Sequence, residues 1–133
     1  MQVLTRLNKR LAKPESGFTL IELLVVLVII GILLAIAVPS YLGFRDRALQ
    51  KAASSNVRAA IPSAEAFYSD NSTYTGLSFT ALKSIDQGVP STLKAADANS
   101  GAGYCISDKQ GDYIARVVGP GGTITATKTN AEC

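Results

Sequence analysis

The longest apolar run of the chain is Phe18–Val38, in which 16 residues are Phe, Leu, Ile or Val and the one charged residue is Glu22. A helix rises ~1.5 Å per residue, so a helix of this length spans ~30 Å, about one bilayer core. Each large apolar residue favours insertion by ~0.3–0.6 kcal/mol, and one central acidic residue opposes it by ~2.5–3.5 kcal/mol. The run therefore predicts a single membrane-spanning helix.

After Pro39 the pattern changes to a helix with one apolar face. Apolar side chains recur there in steps of three and four, and charged side chains lie mostly off that face. We predict one long helix from about Phe18 to about Tyr68, whose first half is apolar all round and whose second half is amphipathic. The apolar positions of the second half are Tyr41, Leu42, Leu49, Ala52, Ala53, Val57, Ala60, Ile61, Ala64, Phe67 and Tyr68.

Prolines and glycines interrupt the predicted helix. Pro39 and Pro62 each lack a helical N–H and crowd the carbonyl four residues earlier. Gly31 and Gly43 lower the helix propensity. We therefore expect a kink or local melting around Gly31 and Pro39.

Residues 69–133 are rich in Gly, Ser, Thr and Asn and contain strand signals. Short turns imply antiparallel neighbours, so one face of the resulting sheet packs on the amphipathic helix and the threonine face meets solvent or a neighbour. Residues 69–103 are predicted to be a long connection with a short helix around Phe79–Ile85. The predicted strands are Tyr104–Ser107, Asp112–Val118 and Thr123–Lys128, and the predicted turns are Asp108–Gly111 and Gly119–Gly122. The fold class is therefore α+β, one long N-terminal helix packed on a small antiparallel sheet.

The net charge of +3 is confined to the first 17 residues, because basic and acidic residues balance over the rest of the chain. A basic surface for nucleic acid is therefore not supported by the bulk of the sequence. The positive-inside rule predicts a cytoplasmic N-terminus and places the remainder outside the cytoplasm. Cys105 and Cys133 can pair in that oxidising environment, as a staple for the small sheet, and two free thiols are the alternative.

An enzyme is disfavoured because the chain contains no histidine, the commonest general base and metal ligand near neutral pH. Nucleophile, base and orienting group do not cluster along the sequence, which argues against a single-pass membrane enzyme or sensor. We expect no cofactor and no metal. Asp108 and Asp112 could hold calcium, but the acidic ligands are few and a solvated turn is expected there.

The segment Gly17-Phe18-Thr19-Leu20-Ile21-Glu22, with the basic leader before it and Pro39-Ser40-Tyr41 after it, resembles the class III signal of type IV pilins. The resemblance implies that a prepilin peptidase removes residues 1–17 by cutting between Gly17 and Phe18, and N-methylates Phe18. It also implies that Glu22 is a buried carboxylate that guides subunit addition. A plain signal peptide is disfavoured, because its apolar core has only ~7–15 residues.

The resemblance divides the chain into a leader (1–17), a long helix (18–68) and a globular head (69–133) with a C-terminal disulfide loop, which in such proteins is often a surface used in adhesion. Cleavage turns the amide of Phe18 into an amine that is largely protonated at neutral pH. Glu22 can then pair with the amine of its own chain, four residues away on one helix face, or with that of an adjacent subunit. The sequence leaves both pairings open.

The function that the resemblance implies is a structural subunit of a type IV pilus, which polymerises from the membrane into a helical filament through residues 18–68. Such filaments serve adhesion, twitching motility or DNA uptake. The alternative is a pseudopilin, the periplasmic piston of a type II secretion system. The implied partners are copies of the same chain, membrane lipid before assembly, the prepilin peptidase, and the assembly platform with its ATPase. A surface receptor or DNA stays open as a further partner, and the head lies outside the cell in the finished filament.

Overall fold

The computed structural model describes residues 17–133, and these form two helices and a four-stranded sheet. The α+β class predicted from the sequence is confirmed. Residues 1–16, which make up most of the predicted leader, lie outside the described residues. The elements are α1 (Leu20–Asn71), α2 (Phe79–Ile85), β1 (Leu93–Ala98), β2 (Gly103–Gln110), β3 (Tyr113–Gly119) and β4 (Thr125–Thr127), with a 3-10 turn at Asn99–Gly101 between β1 and β2.

Helix α1 has 52 residues and extends the predicted helix by three residues at its C-terminal end. Both Gly31 and Pro39 lie within its bounds. The described residues divide into two units, 17–40 and 41–133, and α1 contributes to both. Local melting at Gly31 and Pro39 in an assembled filament stays a prediction. The short helix predicted around Phe79–Ile85 is confirmed as α2, and the Ser78 hydroxyl caps its start by accepting a hydrogen bond from the amide of Ala81 (3.3 Å).

The sheet has the order β1-β2-β3-β4, and all neighbouring strands are antiparallel. Its β2–β3 turn is tighter than predicted. Gln110 pairs with Tyr113, which leaves two residues in the turn, and the first of them, Gly111, has a φ of 57°. The predicted turn at Asp108–Gly111 was therefore wrong. A glycine adopts positive φ without steric cost, and such two-residue turns match the twist of the flanking strands.

Strand β1 was missed by the sequence analysis. Its sequence, LKAADA, contains three alanines and no β-branched or aromatic residue, so its intrinsic strand propensity is low. It forms by pairing with β2 along its whole length, from Leu93 opposite Asp108 to Ala98 opposite Gly103. The pairing, and not the local sequence, therefore makes this segment a strand.

The hydrophobic core lies between the second half of α1, helix α2 and one face of the sheet. Ala115 and Val117 on β3 are buried, whereas Thr125 and Thr127 on β4 are exposed, as the alternating pattern predicted. The buried stripe of α1 is shorter than expected, because Tyr41 and Leu42 are exposed. The core residues of α1 are Ala53, Val57, Ala60 and Ala64, and they pack with Leu82, Ile106, Ala115 and Val117.

Polar contacts join the first turns of α1 that touch the head to the β2–β3 hairpin and to β4. The Tyr113 hydroxyl donates a hydrogen bond to Asp46 Oδ2 (3.2 Å). Gln50 Nε2 donates to the carbonyl oxygen of Ala126 on β4 (2.7 Å). Leu49 lies against Gly111. We call this part of the head, where residues 45–51 of α1 meet the hairpin, the hairpin end.

Asp108 is the one aspartate found buried among the described residues, so a solvated turn was the wrong expectation for it. Its Oδ2 accepts hydrogen bonds from Asn56 Nδ2 (2.8 Å) on α1 and from Gln110 Nε2 (3.0 Å). A buried carboxylate is costly unless it is hydrogen-bonded, and these two amides supply part of the lost hydration. The contact also fixes the position of β2 against α1.

Glu65 holds the opposite end of the head together. Its carboxylate accepts hydrogen bonds from the hydroxyls of Tyr74 (2.9 Å) and Tyr104 (3.0 Å), so one side chain joins α1, the following loop and β2. The ring centroids of Tyr74 and Tyr104 are 5.0 Å apart. The amide of Tyr74 also donates to the carbonyl oxygen of Gly101 (3.0 Å). We call this part, where the last turns of α1 meet residues 72–77 and 97–104, the loop end.

We predict that the head loses stability at alkaline pH, because the contribution of the contact between Glu65 and Tyr74 is lost there. Burial raises the pKa of Tyr74 most. The hydrogen bond to Glu65 and the negative charge of that carboxylate raise it further, to about 12. An unfolded tyrosine titrates near pH ~10, so the stabilisation is complete below ~10 and is lost as the pH rises toward about 12. Glu65→Gln removes the charge and should lower the pKa of Tyr74 part of the way to its ordinary value, because burial remains. Ultraviolet titration of the phenolates measures this.

The matched control for this titration is Glu132→Gln, which neutralises a glutamate paired with Lys94 instead of with the tyrosines. It should leave the tyrosine titration unchanged. Superimposable curves for the wild-type chain and Glu65→Gln would contradict the assignment.

Candidate functional site

The first half of α1 presents a long exposed apolar surface, in which Glu22 is the one charged residue before Arg45. Every residue from 17 to 45 is exposed, including Leu20 (80%) and Phe44 (66%). Within residues 17–133, α1 is the one helix long and apolar enough to cross a membrane, and the most apolar window has no residue buried inside the protein. Burying apolar surface is favourable by roughly 25 cal/mol per Å². This segment therefore requires an apolar medium or a partner to cover it.

The start of α1 is closed by a reciprocal pair of hydrogen bonds between Thr19 and Glu22. Glu22 Oε2 accepts from both the amide and the hydroxyl of Thr19, each at 2.8 Å, and the amide of Glu22 donates to Thr19 Oγ1 (3.3 Å). This is a capping box, in which the first and fourth residues satisfy each other's backbone amides. Glu22 thus has a hydrogen-bonding partner on its own chain.

Thr19 is the hydrogen-bonding partner of Glu22, which the sequence analysis missed. The pattern of a threonine followed three residues later by a glutamate, directly before an apolar run, is the sequence signature of such a cap. It stands in the sequence as Thr19-Leu20-Ile21-Glu22. The structure therefore brings Thr19 and Glu22 into contact beside the two predicted processing residues.

The predicted cleavage junction lies just outside the helix. Gly17 and Phe18 are not helical, both are exposed, and Phe18 is 83% exposed. Among the described residues, no atom other than those of the chain neighbours lies within 4 Å of the position that a Cβ would take at Gly17. An exposed, non-helical peptide bond next to a helix start is sterically accessible to an enzyme.

The predicted cysteine pair is present. Cys105 on β2 and Cys133 are joined by a disulfide, with Cα atoms 5.6 Å apart. The amide of Cys133 donates to Ser107 Oγ (3.0 Å), and Arg116 Nε lies 3.2 Å from Cys105 Sγ. The bond therefore attaches the C-terminal segment to the second strand of the sheet.

The two aspartates considered for calcium lie in different surroundings in the structure. Asp108 is buried against Asn56, whereas the Asp112 side chain is 85% exposed and lies 3.9 Å from Lys128 Nζ. Over residues 17–133, no three histidine, cysteine or acidic side chains come together in a way that could hold a metal ion.

Residues 12–38 match the family model of the prokaryotic N-terminal methylation motif, and this range contains the end of the predicted leader, the predicted junction and the whole apolar run Phe18–Val38.

Similar proteins fall into two functional groups. The chain is 38% identical to the type IV wide pilus major component PilA4 of Thermus thermophilus over 98 residues, an alignment that covers 71% of this chain and 72% of that protein. It is 41% identical to the type IV major pilin protein PilA of Myxococcus xanthus over 71 residues, which cover 53% of this chain and 30% of that protein. It is 31% identical to the type II secretion system core protein G of Vibrio cholerae over 105 residues, which cover 79% of this chain and 64% of that protein.

Reducing the disulfide should destabilise the head. It closes a loop with a sequence separation of 28 residues, for which the chain-entropy estimate is about 3–4 kcal/mol. We expect the double variant Cys105→Ser with Cys133→Ser to unfold at clearly lower denaturant concentration than the wild-type chain, measured in detergent. Reductant should shift the wild-type transition and leave that of the double variant in place; equal stability of both proteins would contradict a stapling role.

Proposed function

This chain belongs to the type IV pilin family, and from that premise we propose that it is a structural subunit of a type IV pilus. The family consists of structural subunits, in keeping with the prediction that the chain is not an enzyme. The observation that carries the proposal is the exposed apolar surface of α1 over residues 18–44. A surface of this size needs lipid before assembly and copies of itself afterwards.

The transfer from lipid to filament sets what must hold the subunits together. Lipid tails are as apolar as leucine, so the transfer gains little hydrophobic energy. Close packing of helices, paired charges and contacts between heads must supply the stabilisation. Contacts between different surfaces of successive copies give a helical filament when the rotation from copy to copy does not close into a ring.

We infer that a prepilin peptidase cuts between Gly17 and Phe18 and methylates the new amine of Phe18. The exposed, non-helical backbone at this junction supports the proposal. Cleavage removes the basic leader and leaves a cation one residue before Thr19 and four before Glu22. The capping box then competes with the new amine for the Glu22 carboxylate.

That competition gives Glu22 two states. With Thr19 as its partner, the carboxylate closes the helix of its own chain. With an amine as its partner, in its own chain or in an adjacent subunit, it neutralises a charge in an apolar environment, where an unpaired carboxylate is costly. The intersubunit pairing would fix the axial position of each added copy, and we propose it for the filament.

We propose that the subunit is anchored with its N-terminus in the cytoplasm and its head outside, and then leaves the membrane in the filament. The prepilin peptidase and an assembly platform with its ATPase are the machinery that this route requires. Adhesion, twitching motility and DNA uptake are the tasks such a filament can serve, with a surface receptor or DNA as the partner.

A pilus is favoured over a type II secretion pseudopilin by two features. PilA4 of Thermus thermophilus, whose alignment covers more than two thirds of both proteins, is named as a major pilus component. The head of this chain also carries a disulfide. The similarity to core protein G keeps the pseudopilin as the second candidate. Long surface fibres built of this chain would support the pilus, whereas its restriction to a short periplasmic assembly would support the pseudopilin.

Pro39 and Gly31 are proposed as the place where α1 unwinds inside the filament. Pro39 supplies no amide to the carbonyl four residues earlier, so the hydrogen bonding is weakest there. Hydrogen exchange on assembled filaments should show faster exchange over residues 35–39 than over residues 23–30. Uniform protection along α1 would contradict the proposal.

Electron microscopy and mass spectrometry of sheared cell-surface material test the function directly. We expect fibres containing this chain, with a first residue at Phe18 carrying an N-methyl group. Glu22→Ala should abolish fibres while leaving the processed subunit in the membrane. The control Thr19→Ala removes the capping partner but keeps the carboxylate, and it should retain fibres. Fibres as abundant and regular in Glu22→Ala as in the wild type would contradict the role of Glu22.

A further inference from the structure

The exposed face of α1 carries a row of basic side chains beside the hairpin end. Arg47, Lys51 and Arg58 are spaced by four and seven residues, which places them on one face of the helix, and all three are exposed. We call these three residues the basic stripe. Within residues 17–133 none of them forms an ion pair; Arg47 Nε donates to the carbonyl oxygen of Gly43 in its own helix (3.2 Å).

The loop end of the same head is acidic. Glu65, Asp70 and Asp97 are all exposed there. Asp97 lies opposite Tyr104 in the β1–β2 pairing, and the Tyr104 hydroxyl donates to Glu65, so β1 is linked to α1 through Tyr104. No lysine or arginine occurs in residues 59–78 or 97–104. We call Glu65, Asp70 and Asp97 the acidic end.

This distribution of charge does not stabilise the isolated subunit. The C-terminus of a helix carries a partial negative charge and favours cations, yet the last turn of α1 contains Asp70 and no basic residue. Arg47 and Lys51 are like charges one turn apart, an arrangement that opposes helix formation. The arrangement acquires a favourable energy only when an external surface of opposite charge meets each end.

A second copy of the chain supplies both such surfaces. We propose that, in the filament, the basic stripe of one head binds the acidic end of the next head; the proposal rests on the proposed function. Lys51 and Asp70 lie 19 positions apart on α1, or ~29 Å along the helix at ~1.5 Å per residue. Two complementary surfaces separated along one axis can make a head-to-tail contact, which repeats as a filament when the rotation from copy to copy does not close into a ring.

A second copy fits better than an external anion. Residues 41–133 contain nine basic and eight acidic residues, so the head has an excess of only one positive charge to attract nucleic acid or anionic lipid. The charges are instead unevenly distributed: the basic stripe lies toward the hairpin end, where Asp46 and Asp112 contact Lys128 (3.5 and 3.9 Å), and the loop end has no basic residue. Complementarity between identical subunits requires such an uneven distribution. Charged contacts of this kind set register and discriminate against wrong partners.

Charge reversal in both surfaces tests the proposal in cells in which the wild-type chain forms fibres. The stripe variant is Arg47→Glu with Lys51→Glu, and the end variant is Asp70→Lys with Asp97→Lys. Each should lower the yield of sheared fibres by about tenfold or more, because like charges then face each other. Combining all four substitutions should restore the yield to within about threefold of the wild type, because opposite charges face each other again.

Thermal unfolding of each purified full-length chain in detergent separates assembly from folding. Asp70→Lys places a cation at the C-terminus of α1, so the end variant should be at least as stable as the wild type although it forms fewer fibres. The matched control is Lys109→Glu, an exposed charge reversal outside the basic stripe, which should leave the fibre yield unchanged.

Three results would overturn the proposal: unchanged fibre yield in both folded reversal variants, loss in the stripe variant alone, or no recovery in the combined variant. Loss in the stripe variant alone is the result expected if the basic stripe binds lipid or nucleic acid. Absence of fibres from the wild-type chain would instead refute the proposed function, so the two failures are distinguishable.

Discussion

The exposed apolar surface of α1 constrains everything else in this molecule. From Phe18 to Phe44 the helix has no cover within the described chain, so it can exist in lipid or among copies of itself. The same helix continues to Asn71, and its second half forms one wall of the core of the head. One helix thus presents an exposed apolar surface in its first half and contributes to the core of the head in its second half. The change from exposed to buried side chains lies around residues 45–53.

The parts of the fold with a strong period in the sequence were predictable. The apolar run, the helical stripe of α1 and the alternation in β3 follow from side-chain geometry alone. Strand β1 was not, because its alanines acquire strand structure only through pairing with β2. The burial of Asp108 was not predictable either, since its partner Asn56 lies 52 residues away in the sequence. Long-range contacts of this kind leave no local signal.

The candidate site was predicted from the sequence in part. The junction at Gly17 and Phe18 and the role of Glu22 follow from the motif and stay predictions, whereas the Thr19 cap was present in the sequence as a threonine three residues before a glutamate. The uneven distribution of charge was hidden, because it depends on Asp97, a residue of the missed strand, which pairs with Tyr104, the tyrosine that contacts Glu65 on α1. Asp97 is far from Glu65 and Asp70 in the sequence, so the position of all three at one end of the head depends on the fold.

The bond pattern around Glu65 has a mechanical meaning. Tension applied along α1 reaches the head first at the hairpin end and last at Glu65, where one carboxylate holds both a loop tyrosine and a strand tyrosine. The amide of Tyr74 is fixed to Gly101 at the same place. The last turns of α1 are therefore tied to both the following loop and the sheet, so pulling them away from the head requires both tyrosine hydrogen bonds to break.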